Sequence, residues 1–159
     1  MKAKKFFVTI LSMVAIIIMA TPTLAAGVKN PYKDVTPKSV GKEAYRAVIY
    51  VKNRGCLEGV FGKKMHPYDN VGRINFLLML SNATGDIKKV PITISDLKKA
   101  NRPITAKWAV KKMVAVAKKY GVKIKWAAPN TILTNVGACQ YLAEFLKFCS
   151  FIKPPTPKK

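Results

Sequence analysis

Arg73 is the side chain in this sequence best placed for recognition chemistry. It follows Asn70, Val71 and Gly72 and precedes Ile74, Asn75 and Phe76, where apolar residues begin to recur at helical spacing. A guanidinium in the first turn of a helix sets a fork of donors beside the partial positive charge of unpaired backbone amides. That combination suits a carboxylate or a phosphate. Gly72, Gly55 and Gly59 carry no Cβ, so a ligand can come close to their backbone amides. Tyr68, with Phe61 and His66 nearby in the chain, offers a ring on which a sugar can stack. The competing reading is structural: Arg73 pairs with Glu58 or Asp69, the aromatics pack, and nothing is bound.

Other chemistries find little support. Seven acids are scattered along the chain, and His66 is the one histidine. No Ser/His/Asp or Cys/His pattern has workable spacing, so the sequence reads as non-catalytic. Three cysteines without a Cys-x-x-Cys pair make a zinc site unsupported, and no cofactor is implied. Cys56 and Cys139 read first as small core residues. A Cys139 to Cys149 bridge stays open at this stage, with one thiol left over in either case.

The elements that position Arg73 come in two copies. Asn70-Val71-Gly72 returns 65 residues later as Asn135-Val136-Gly137, each followed by an amide (Asn75, Gln140), an aromatic (Phe76, Tyr141) and a bulky apolar residue (Leu80, Phe145). Upstream, Tyr32-Lys33-Asp34-Val35 matches Ile94-Ser95-Asp96-Leu97, and Gly55-Cys56 matches Gly121-Val122. Ala44, Ala47, Val48 and Val51 form one helical stripe, stopped by Gly55 as a left-handed cap. Residues 56–70 hold Gly59, Gly62 and Pro67 and read as an ordered loop, followed by a helix over 72–81. Ser95 is the expected cap of a short turn over 96–100. The most regular helix spans 105–120, with Ala109, Val110, Met113, Ala117 and Tyr120 on one side and Lys107, Lys111, Lys112, Lys118 and Lys119 on an outward basic face. Residues 122–126 alternate like an extended segment, and a last helix covers 137–148. The expected fold is all-α, two helix-loop-helix repeats sharing one core.

Residues 1–26 read as a signal peptide: Lys2, Lys4 and Lys5, a short apolar run, then small residues at Ala25 and Ala26. The first repeat occupies 27–85, the second 86–152, and 153–159 form a disordered basic, proline-rich tail. No later segment is long and apolar enough for a transmembrane span. Without the three leader lysines, 26 Lys and Arg oppose seven acids, a balance of +19. Exported proteins do not ordinarily meet nucleic acid, so the expected counter-surface is an anionic wall polymer or a lipid headgroup.

In the first copy, Tyr32, Asp34, Val35, Ala44, Ala47, Val48, Gly55, Gly59, Phe61, Pro67, Val71, Arg73, Phe76 and Leu80 carry a pattern that resembles the S-layer homology domain family. The second copy resembles it as a degenerate member, keeping Asp96, Leu97, Trp108, Ala109, Gly121, Val122, Val136, Tyr141 and Leu142. The family's Ile-Thr-Arg-Ala-Glu motif stands here as Val71-Gly72-Arg73-Ile74-Asn75 and as Val136-Gly137-Ala138-Cys139-Gln140. The resemblance implies helical modules, used in threes, that hold exported proteins on the bacterial cell surface. They bind anionic secondary cell wall polysaccharide or peptidoglycan-linked groups, with Arg73 reaching the anion. Two copies are fewer than three. That leaves either homo-oligomer formation or pairing with other such repeats to supply the third, or a divergent two-repeat protein.

Overall fold

Thr93, Thr105 and Thr134 each open a helix by accepting, on the hydroxyl, an amide that the helix cannot pair for itself. The computed structural model describes residues 30–149, so the predicted leader and tail lie outside the described residues. Within them the helices are α1 (Pro37–Val40), α2 (Lys42–Asn53), α3 (Arg73–Thr84), α4 (Ile94–Lys98), α5 (Ala106–Lys119) and α6 (Asn135–Phe148), with a 3-10 turn at Ile87–Lys89. The fold is all-α: β-pairing among the described residues is limited to isolated bridges. No helix there is long and apolar enough to cross a membrane.

Those bridges tie three short segments into a closed ring. Val71 N donates to Leu133 O at 3.0 Å, Leu133 N to Ile104 O at 2.9 Å, and Ile104 N to Val71 O at 3.3 Å. A second set repeats the circuit two residues on: Arg73 N to Arg102 O (3.0 Å), Ala106 N to Thr131 O (2.9 Å) and Asn135 N to Asp69 O (2.9 Å). A third runs from Ile74 N to Ala100 O (2.9 Å), Lys107 N to Pro129 O (2.9 Å) and Val136 N to Pro67 O (3.0 Å). Each segment leads straight into a long helix, α3, α5 or α6, and the bonds consume amides at the start of each. Val71, Ile104 and Leu133 are buried at the ring, so apolar burial and backbone pairing reinforce one another there.

Around the ring lies one core. Val48 and Val51 of α2, Phe76 and Leu80 of α3, Met113 and Val116 of α5, and Leu142, Phe145 and Leu146 of α6 are buried in it, with α2 packed chiefly on α6. Each such side chain contributes on the order of 1.5 to 3 kcal/mol by leaving water. The ends of α2 and α5 are built alike. Gly55 (φ 73°) and Gly121 (φ 77°) turn left-handed, and the next amide reaches back five residues, Cys56 N to Val51 O and Val122 N to Ala117 O, both at 3.0 Å.

Three local expectations change. α3 runs on to Thr84, where Gly85 takes the left-handed cap, instead of stopping at Ser81. α4 is capped by Thr93 in a reciprocal pair with Asp96, not by Ser95. The match between 32–35 and 94–97 does not hold in space, because Tyr32 and Val35 are buried while Ile94 and Leu97 are exposed. The alternation over 122–126 shows in burial: Val122, Ile124 and Trp126 lean on the core while Lys123 and Lys125 face solvent, in a segment that is neither helix nor strand.

Candidate functional site

Arg73 sits in the first turn of α3, as its spacing demanded, but its guanidinium is turned inward onto an acid, with Nε buried and without a hydrogen-bond partner. Nη1 donates to Asp96 Oδ1 at 3.1 Å, and the guanidinium carbon lies 4.9 Å from the centroid of the Trp108 ring. The side chain keeps only 16% of its exposure, and that of Asp96 only 4%. The reading of an open guanidinium is therefore corrected, and the partner is neither Glu58 nor Asp69. Asp69 instead faces His66, whose Nδ1 lies 3.9 Å away.

Lys112 completes the cluster. Its ammonium donates to Asp96 Oδ2 at 2.6 Å and to the carbonyl of Pro91, and it lies 5.2 Å from the Trp108 centroid. Lys112 thus leaves the outward basic face, because a buried carboxylate recruits the cation within reach. Lys107, Lys111, Lys118 and Lys119 do face out. Burial pushes the Asp96 carboxyl upward. The Lys112 ammonium and the Thr93 hydroxyl and amide outweigh that and hold it at about 2. Arg73, Lys112, Asp96 and Trp108 together form a latch that clamps α4 to α3 and α5.

The other candidate residues are spread out. Gly55 caps α2, and Gly59 (φ 69°) turns the loop after it. Gly72 is the N-cap of α3 and supplies no side-chain cap, in contrast to Thr105 and Thr134. Tyr68 is 63% exposed and ties its hydroxyl to the carbonyl of Ser39. Phe61 packs edge-on against Tyr32 at 6.1 Å, a structural position. These residues do not converge with Arg73 on one surface pocket.

A groove of about 600 Å³ does form at the start of α6, lined in part by Lys63, Lys64, His66, Asp69, Asn75 and Asn135. Asn135, the first residue of α6, is 6% exposed. Its amide nitrogen donates to Met65 O at 2.9 Å and His66 O at 3.0 Å. Two carbonyls can only accept, so they fix the amide's orientation and leave Oδ1 buried with no hydrogen-bond partner. The loop that supplies those carbonyls is itself pinned by Asp34, which accepts Met65 N at 3.0 Å and His66 N at 2.7 Å. Burial acts to raise the Asp34 carboxyl, but these amides and His66 prevail and lower it. The groove therefore offers the Asn75 amide, two exposed ammonium groups and one carboxylate, Asp69, a balance of positive charge. That set fits a ligand carrying hydroxyl donors and a negative charge.

No family model, curated protein or solved structure matches the chain. Phe61 and His66 are candidate stacking rings in the sequence, whereas Lys63, Lys64 and Asn135 are not singled out there as site residues. The signal at Asn135 was the repeated Asn-Val-Gly itself. Among the described residues no group of three or more His, Cys, Asp or Glu is placed to hold a metal ion.

Proposed function

We propose that the chain is a non-catalytic module, exported by its leader and held at the bacterial cell wall. It does so by binding an anionic secondary cell wall polysaccharide or a peptidoglycan-linked group. The observation that supports this reading is the groove's lining, where exposed Lys63 and Lys64 stand beside the Asn75 amide. The Asn75 amide would pair with a sugar hydroxyl, and the ammonium groups would meet a carboxylate or phosphate substituent. In this account two S-layer-homology-like repeats make up the chain. The anion falls to the groove, and Arg73 serves as a strut. The ring of segments closes within one chain, which favours a monomer over self-association.

The test is sedimentation of the chain lacking residues 1–26 with purified walls at physiological salt. Lys63→Gln with Lys64→Gln should weaken binding about tenfold, two charge-assisted contacts being lost. Replacing Lys107, Lys111, Lys118 and Lys119 together by Gln should do less, because those exposed charges are screened within about 8 Å. The reverse ranking would support the second reading, unspecific adsorption of a cationic protein to anionic lipid or wall polymer. The observation that favours that reading is the exposed lysine face of α5.

A further inference from the structure

α4 is turned inside out. Over Ile94–Lys98 the one buried residue is Asp96, while Ile94 and Leu97 stand 74% and 55% exposed. Three residues apart on a helix, the two aliphatic side chains are neighbours on the outer face. Lys98, Lys99 and Arg102 follow, all exposed. The backbone that carries them is folded into successive turns by Lys99 N to Asp96 O (3.2 Å), Ala100 N to Leu97 O (3.2 Å) and Arg102 N to Lys99 O (3.0 Å). Between α3 and α4, Ile87 is 60% exposed and is followed by exposed Lys88. The acid that would offset these cations, Asp96, is withdrawn inward and neutralised by Arg73 and Lys112. The latch thus leaves two neighbouring aliphatic side chains on the outer face of α4, followed directly by three exposed cations.

We propose that this surface, centred on Ile94, Leu97, Lys98, Lys99 and Arg102, seats on an anionic lipid bilayer. Ile94 and Leu97 enter the boundary between headgroups and acyl chains, and the cations lie over the lipid phosphates. The composition favours lipid over a protein partner. Lysines are flexible point charges that suit a mobile array of headgroups, whereas the anchors of protein interfaces are mainly Trp, Tyr and Arg in fitted pockets. The surface shares no residue with the groove at Asn135, so it stands or falls apart from the wall-polymer reading.

The experiment uses residues 27–159 and phosphatidylcholine vesicles with and without phosphatidylglycerol, free of any wall material. Binding is expected only where phosphatidylglycerol is present. Ile94→Ser with Leu97→Ser should lower vesicle partitioning about tenfold or more, the loss of two inserted aliphatic groups. Lys63→Gln with Lys64→Gln should leave it unchanged. Both serines replace exposed side chains, so circular dichroism should match the parent. Leu97→Trp adds an independent readout: its emission should shift to the blue on phosphatidylglycerol vesicles, beyond any change from Trp108 and Trp126. Undiminished binding by the serine variant, an unshifted Leu97→Trp spectrum, or failure of the parent to bind these vesicles would overturn the proposal. So would capture of a soluble acidic protein through Ile94 and Leu97 without vesicle binding, which would assign the surface to a protein partner.

Discussion

Arg73 and Asp96, 23 positions apart in the chain, meet at 3.1 Å between the first turn of α3 and the middle of α4. The carboxylate takes one edge of a guanidinium that burial already withholds from an outside anion. Asp96 also balances Lys112 and caps its own helix, so its removal strands two cations of low exposure and frees one end of α4. Asp96→Ala is expected to lower the unfolding free energy by about 3 kcal/mol, read from urea titration. Arg73→Ala should cost less, because Lys112 remains to hold the carboxylate. A double-mutant cycle should return a favourable Arg73 to Asp96 coupling; additive losses would show that the latch is not a unit.

The same carboxylate predicts how stability responds to acid. Its value of about 2 in the folded chain lies below the ordinary 3.8, so the unfolded chain binds the proton more readily. The stabilisation is complete above pH 4 and is lost as pH falls from about 4 to about 2. A difference of this size corresponds to roughly 2 kcal/mol. Asp34, lowered as well, adds to the loss in the same direction. Asp96→Asn should flatten this acid limb of the stability curve, measured by urea unfolding at a series of pH values. An unchanged slope in the variant would mean that other carboxylates carry the acid response.

The helices were legible because their signals are local: the stripe through Ala44, Val48 and Val51, the stops at Gly55 and Gly121, and the regular face of α5. What escaped is long-range. Nothing near Arg73 in sequence announces Asp96, and Asp96 looked like the counterpart of Asp34 until burial separated Tyr32 and Val35 from Ile94 and Leu97. Lys112 belongs to a lysine face by periodicity, yet one buried acid was enough to turn it inward. The ring joining Val71, Ile104 and Leu133 had no signature in composition, since it is made of backbone bonds between segments far apart in the chain.

The cysteines give a prediction about labelling. Cys56, Cys139 and Cys149 are all free and buried, so the Cys139 to Cys149 bridge left open by the sequence is absent. Burial is the main cause that pushes the Cys56 thiol up to about 12 and Cys149 to about 11, and it raises Cys139 as well. Thiolate is the reacting species, so all three should resist Ellman's reagent in the native protein near neutral pH and react together once guanidinium unfolds it. A fast native equivalent of one thiol would place at least one of them nearer solvent.

Hydrogen exchange tests the ring as a unit. The amides of Val71, Ile104 and Leu133 each bond to the next segment, and none can be released without disturbing the circuit. They should exchange at closely similar, slow rates, close to those of global unfolding, with the amides of α1 faster. Ile104→Ala, which removes buried apolar volume at the ring, should destabilise by about 2 to 4 kcal/mol and speed all three amides together. Acceleration of one amide alone would argue that the segments open independently.

Gly72 is the one ring-to-helix junction without a capping hydroxyl. It holds the position that Thr105 and Thr134 hold at the starts of α5 and α6, and its φ of −73° with ψ of 152° is extended backbone open to any residue. A Cβ there would meet Ala100 O at 3.5 Å, an ordinary contact, so there is room for a small side chain. Serine would place a hydroxyl to accept from the Asn75 amide, the bond that Thr105 makes with Trp108 N at 3.3 Å and Thr134 with Gly137 N at 3.2 Å. It would also reduce the freedom of the unfolded chain. Gly72→Ser should therefore stabilise by about 0.5 to 1 kcal/mol, a rise in the urea midpoint with an unchanged slope. A drop in the midpoint would mean that the close approach of α3 to residues 100–103 requires glycine after all.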